Sequence, residues 1–151
     1  MNKTICFVLA FIAILVISCN SPKKAVIKNP YAGAWEITYS KSIYPDTTYE
    51  STQIANPTVK LLTKKHYAFG RQGGENLITG GGGEYTFKDD VFKSFPKYHT
   101  GSFLVGDSII MKSKIEGDLW TISYSINVDS LKVDATETWK RIVEWLMHEI
   151  K

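Results

Sequence analysis

The chain has 151 residues, a formal net charge of +3, 44% hydrophobic and 13% aromatic residues, and two cysteines. That length suits one domain with a real core and is too short for two. The mild positive charge excludes an electrostatic case for nucleic acid, and two cysteines exclude a disulfide framework or a thiolate metal centre.

The N-terminus carries the strongest signal. Lys3 supplies a short basic region, and Ile5 to Ile17 is an apolar run too short to span a bilayer comfortably. The run closes on Val16-Ile17-Ser18-Cys19. This resembles the lipobox of bacterial lipoproteins, in which the cysteine thiol is acylated and the peptide is cut just before it. The resemblance implies a signal peptide over 1–18 and a lipid-bearing Cys19. Cys6 leaves with the signal peptide, so the mature domain must be stabilised by packing alone. Several acyl chains, at about 0.8 kcal/mol per buried CH₂, would hold it stably at a membrane. Asn20 is not the Asp that marks inner-membrane retention, and no acidic cluster follows Cys19. The implied location is the outer membrane, facing the periplasm.

Residues 19–30 read as a lipidated end and linker. They are polar, contain Pro22 and Pro30, and place Lys23, Lys24 and Lys28 beside the membrane surface. The folded domain is expected over 31–151.

From Tyr31 the pattern is β. Trp35, Ile37 and Tyr39 alternate with Glu36, Thr38 and Ser40, the period-2 mark of a half-buried strand. Strands are predicted over Tyr44 to Ile54, Val59 to Thr63 and His66 to Arg71. Gly73-Gly74 and the run Gly80 to Gly83 read as breaks, the latter as a sharp turn or mobile gate at a barrel mouth. Glu84 to Lys88 puts Tyr85 and Phe87 on one face, and Lys88-Asp89-Asp90 reads as a tight turn into Val91 to His99. Ser108 to Ile115 aligns Ile109, Met111 and Ile115. Glu116-Gly117-Asp118 is a hairpin signal, and Trp120, Ile122, Tyr124 and Ile126 then share a face. Asp134 to Arg141 is the last strand. About eight to ten short strands with turns between them predict an antiparallel sandwich or barrel. Ile142, Trp145, Leu146 and Ile150 fall at helical spacing, which predicts a short C-terminal helix.

Gly33-Ala34-Trp35 resembles the Gly-x-Trp start of lipocalin-like proteins. The segment Lys60-Leu61-Leu62-Thr63-Lys64-Lys65-His66-Tyr67-Ala68-Phe69-Gly70-Arg71-Gln72 resembles a block of small bacterial lipocalin-like lipoproteins, as do Gly81-Gly82-Gly83-Glu84-Tyr85-Thr86-Phe87 and Glu137-Thr138-Trp139-Lys140-Arg141. The ordered set spans Tyr31 to Ile142. It implies an all-β, lipocalin-like antiparallel up-and-down barrel, plugged at one end and open to a ligand at the other. It also implies that Trp35 lies under the closed end with Arg141 across its ring, a structural pair.

Tyr67, Phe69, Tyr85, Phe87, Tyr98, Trp120 and Tyr124 lie on predicted strands and form candidate ligand-binding walls; an equally good reading is a barrel simply filled by aromatic side chains. His66, Arg71, Glu137 and Arg141 are polar groups that, pointing inward, would fix a carboxylate or other head group. Along one continuous strand His66 and Arg71 fall on opposite faces, so at most one is interior. The three histidines have no metal-binding spacing, no residue argues for a cofactor, and the glycine run lacks the Gly-Lys-Ser/Thr of a phosphate loop. No nucleophile, base and orienting group assemble, so no enzyme is expected. The sequence therefore favours a membrane-anchored carrier of a small apolar or amphipathic molecule in the cell envelope. The alternative is a filled barrel that serves as a protein-interaction module. A lumen of about 300 Å³ or more separates the two.

Overall fold

The computed structural model describes residues 29–142, apart from 129. The expected signal peptide, Cys19, most of the linker and the C-terminal helix with Trp145, Leu146 and Ile150 lie outside the described residues.

The domain is an antiparallel β-barrel of eight strands with a ninth as a flap. In chain order they are β1 (Gly33–Ile43), β2 (Thr48–Ser51), β3 (Val59–Leu62), β4 (His66–Gly73), β5 (Asn76–Lys88), β6 (Val91–His99), β7 (Ile109–Glu116), β8 (Leu119–Val128) and β9 (Leu131–Arg141). The sheet order is β2-β1-β3-β4-β5-β6-β7-β8-β9, and β9 pairs back onto β1 to close the ring. This is the lipocalin-like barrel expected from the sequence. Closure covers the strand edges where the ring is complete, which for an all-β chain limits edge-to-edge association there.

Tight turns of the predicted kind join several strands. Asp89 (φ 52°) turns β5 into β6, and Gly117 (φ 60°) turns β7 into β8. Pro45-Asp46 turns the chain, with Tyr44 N–H donating to the Thr47 carbonyl at 2.8 Å. The strand expected over Tyr44 to Ile54 is therefore only the short β2, which pairs with Ser40–Ile43 of β1.

Two expectations are corrected. The register of β1 on β9 shifts between Ile37 and Tyr39. This bulge places Tyr39 outside, where its hydroxyl donates to Glu50 Oε1 at 3.0 Å, instead of beside Trp35 and Ile37. The glycines at 80–83 are neither a turn nor a gate. They lie buried inside β5, paired to β4 and β6, and none has a positive φ. Missing side chains, not backbone freedom, are what this stretch uses: a Cβ at Gly81 would stand 2.9 Å from both the Phe69 and the His99 rings.

The strand pairings are uneven. β3 pairs Val59–Leu62 with Glu36–Gly33 of β1 and with Gly70–Tyr67 of β4. β6 meets β7 only over Val91–Ser94, and β7 meets β8 only from Lys112 onward. The hydrogen-bonded ring is therefore complete only at the end where β1 begins and β9 finishes. Towards the other end, β4-β5-β6 and β8-β9-β1-β2 run on as two separate leaves.

The closed end is a cluster of aromatic rings. Trp35, Trp120 and Trp139 are almost wholly buried. Trp120 contacts Trp35 edge-on at 5.5 Å, Tyr31 at 5.4 Å and Phe92 at 5.2 Å between ring centroids. Each polar edge is satisfied: Trp35 Nε1 donates to the Tyr31 carbonyl at 2.8 Å, and Trp120 Nε1 donates to Ser113 Oγ at 2.9 Å. The Tyr31 hydroxyl also pairs with Ser113 Oγ at 2.9 Å. Burying these large rings supplies much of the hydrophobic stabilisation of a domain that the sequence expects to lack disulfides.

Candidate functional site

Above the aromatic floor lies a cavity of about 280 Å³, lined from opposite walls by Ile37, Lys60, Tyr67, Phe69, Ser94, Ile109, Met111, Ile122, Tyr124, Glu137 and Trp139, with Thr79, His99, Leu104 and Ile126 towards the open end. This is just under the roughly 300–1,000 Å³ typical of small-molecule sites. A more open groove of about 590 Å³, lined by Ile43, Val91, Ile110, Lys41, Lys112 and Asp134, lies elsewhere on the barrel. The lumen is the stronger candidate because charged and polar groups converge in it among apolar walls.

Alternation explains which side chains face inward. On β8, Ile122, Tyr124 and Ile126 line the cavity while Thr121, Ser123 and Ser125 pair outside with β9. On β9, Glu137 and Trp139 share the inward parity with the buried Val133 and Ala135. On β3, Lys60 lies opposite Trp35 in the register and shares the parity of the buried Leu62, so its chain runs into the barrel.

The Lys60 ammonium is the central feature. Its Nζ stands 3.9 Å from the centroid of the Trp139 ring, 5.1 Å from Trp120 and 6.0 Å from Phe69. Among the described residues no carboxylate comes within ion-pair distance of it. The ring faces supply partial compensation through cation–π attraction. Burial holds the Lys60 pKa below the ordinary lysine value, and the negative charge of Glu137 opposes that shift.

Glu137 is committed to other partners. Its Oε1 accepts from the Tyr124 hydroxyl at 2.7 Å and its Oε2 from Trp139 Nε1 at 2.9 Å. Burial first, and then the adjacent Glu137 charge, push the Tyr124 phenol well above its ordinary value. Across the lumen, Ser94 Oγ is buried and has no hydrogen-bond partner among the described residues. The Ser94 hydroxyl lies near enough to Tyr67 to lower its phenol pKa somewhat against the upward push of burial, although no well-formed hydrogen bond joins them. At the mouth, burial lowers the His99 pKa, and His99 Nδ1 accepts the Gly101 N–H at 2.7 Å, which requires an unprotonated Nδ1.

The residues singled out from the sequence fall in different places. Tyr67, Phe69 and Tyr124 line the lumen, and Trp120 lies beneath it in the floor. Tyr85 belongs to the closed end, where its hydroxyl donates to the Thr63 carbonyl and accepts from Asn29, both at 2.6 Å. Phe87 packs edge-on against Tyr31 there. Tyr98 is 59% exposed and covers Gly82 on the outer surface. His66 is exposed on the outer face of β4, 3.9 Å from Glu84. Arg71 has the inward parity but stands exposed at the open end, beside a small polar pocket lined by Ser51, Gln53 and Asn56. Neither it nor His66 enters the lumen. Arg141 Cζ lies 4.0 Å from the Trp35 ring centroid. Lys60 and Ser94 were not singled out from the sequence. Lys60 shares the parity of Leu62, but the inward side of that short strand is set by its pairing with Trp35 and Phe69.

Among the described residues no cluster of three or more metal-ligating side chains occurs. No family model and no curated protein match the chain. Among solved structures it is similar to a double mutant of the vaccine antigen Transferrin Binding Protein B from Haemophilus parasuis Hp5, at 16% identity with a TM-score of 0.47. That similarity covers 76% of this chain, which spans only about a quarter (26%) of the larger protein.

Proposed function

We propose that this protein is a lipid-anchored protein of the bacterial cell envelope whose barrel holds a small apolar or amphipathic molecule without transforming it. The observation that carries the reading is the lumen: an apolar-walled cavity of about 280 Å³ with a buried Ser94 hydroxyl that has no well-formed hydrogen bond and an ammonium that lies against ring faces with no ion-pair partner among the described residues. A barrel filled for packing alone gains nothing from such groups, because burying an unpaired polar group costs about 1–3 kcal/mol. The envelope location and the anchor rest on Val16-Ile17-Ser18-Cys19. The apolar residues Ile109, Met111, Ile122 and Ile126 would cover the body of the ligand, and the polar groups would orient one end.

The test compares full-length protein isolated from bacterial membranes with an Ile109→Trp variant that plugs the lumen. Organic extracts of both are analysed by mass spectrometry. A molecule carried by the wild type and lost from the plugged variant is the expected result. Identical extracts would sink the carrier reading in favour of a filled barrel that engages a protein.

A further inference from the structure

We propose that the occupant of the lumen carries a carboxylate, seated on the Lys60 ammonium with the Ser94 hydroxyl as a second donor. The inference rests on the carrier reading above and specifies its head group.

It follows from counting donors and acceptors. The lumen's one carboxylate, Glu137, already accepts through both oxygens, from Tyr124 and Trp139. Its donors are in surplus. Lys60 Nζ makes no hydrogen bond among the described residues, and Ser94 Oγ is buried without a well-formed hydrogen bond, although it lies beside the Tyr67 hydroxyl. All three line the same cavity. An ammonium can only donate, so what Lys60 lacks is an acceptor stronger than a neutral hydroxyl, and an anionic one gains most, since a charge-assisted bond to an ammonium is about twice as strong as a neutral one. The fixed Glu137 charge nearby favours a monoanion over a dianion, because one cation must serve both. The apolar body of such a molecule would lie against Ile109, Met111 and Ile122, while the Trp139 and Trp120 rings flank the ammonium.

Three probes that share a phenylbutyl body test this: 4-phenylbutyrate, 4-phenylbutan-1-ol and 4-phenylbutylammonium. Each is titrated into the full chain held in phospholipid nanodiscs, with empty nanodiscs as the blank and tryptophan fluorescence as the readout. The carboxylate is expected to bind at least about tenfold more tightly than the alcohol, with the ammonium weakest. Lys60→Met should bring carboxylate affinity down to that of the alcohol, leave alcohol binding within about threefold, and keep the near-UV circular dichroism of a folded barrel. Lys60→Arg should retain the preference, and Ser94→Ala should weaken it. Saturable binding with no preference for the carboxylate, or a preference that survives Lys60→Met, would overturn the head-group assignment and leave the carrier reading standing. No saturable binding of any probe to the wild type would overturn both.

Discussion

Arg141, the last residue of the barrel, clamps the strap that leads into its first strand by stacking on Trp35. The guanidinium carbon lies 4.0 Å from the Trp35 ring centroid, while Nη1 donates to the Ala32 carbonyl at 2.9 Å and Nη2 to the Pro30 carbonyl at 2.7 Å. The two ends of the domain are thereby fastened together under the aromatic floor. Arg141→Ala should destabilise the fold by about 1–3 kcal/mol, through the lost stacking and the half-buried Ala32 carbonyl left without its donor. Arg141→Lys should recover only part of this, because an ammonium cannot stack and fork at once. Chemical denaturation of both variants gives the answer, and an unchanged midpoint for Arg141→Ala would remove the clamp from the account.

Gly33 is tied to the same clamp. Its φ of +134° is closed to ordinary side chains, and a Cβ there would stand 2.9 Å from Arg141 Nη1. Gly74 also has a positive φ, +61°, but has open space around it. Gly33→Ala is expected to cost about 2–4 kcal/mol and Gly74→Ala about 1 kcal/mol. Equal costs, measured by denaturation, would contradict the steric argument.

Lys60 is expected to be a liability for stability. Lys60→Met should raise stability by about 1 kcal/mol at neutral pH, because it replaces a desolvated ammonium that has no ion-pair partner with an apolar chain of similar length. The sign with pH follows from the lowered Lys60 pKa. Between its folded value and the ordinary lysine value near 10.5, the unfolded chain holds more protons, so wild-type stability rises with pH through that window. The advantage of Lys60→Met should therefore shrink as pH rises. A thermal-melt series that shows a constant difference would oppose this.

Tyr124 acts in the opposite direction at higher pH. Its raised phenol pKa means that its contribution is complete below the unfolded value, near 10.0, and is lost as pH climbs towards the folded value. Stability should fall above about pH 10 more steeply in the wild type than in Tyr124→Phe. Glu137→Gln should bring the late-titrating phenol partway down, read by ultraviolet absorbance, because burial remains when the charge is gone.

Cys19→Ala should abolish incorporation of labelled palmitate in a bacterial host and release the protein from membranes. Labelling that persists would refute the anchor.

Much of this architecture could be read in advance because apolar side chains mark faces. Trp120, Ile122, Tyr124 and Ile126 point to one side of β8 as their alternation predicts. Alternation failed where the backbone departs from it: the bulge after Ile37 reverses Tyr39, and no side-chain pattern announces an extra residue. A glycine run in a sequence suggests φ freedom, whereas the role of this one is to leave room for Phe69, His99 and Tyr98. In the site, Tyr67, Phe69 and Tyr124 could be found because they are large and aromatic. Lys60 could not, because a lysine on a strand ordinarily marks the wet face. Only the pairing of β3 with Trp35 and Phe69 turns it inward. Tyr98 is turned outward by another register shift, between Gly82 and Gly83, which puts His99 into the lumen instead, and Arg71 shows that residue chemistry alone does not reveal which end of a strand meets solvent.

The uneven strand pairing has a consequence for passage in and out. Near the floor every neighbouring pair of strands is stitched, so the girth of the barrel is fixed by backbone geometry. Higher up, Phe95–His99 has no hydrogen-bonded neighbour on the β7 side beyond the bond from Gly106 N–H to the Pro96 carbonyl, and the strand β3 stops at Val59. Between β6 and β7 the rim thus has no ladder to break when its aperture widens. The vessel has a rigid base and a compliant lip, so the resting volume of the lumen sets no upper limit on the size of a molecule that could pass the lip.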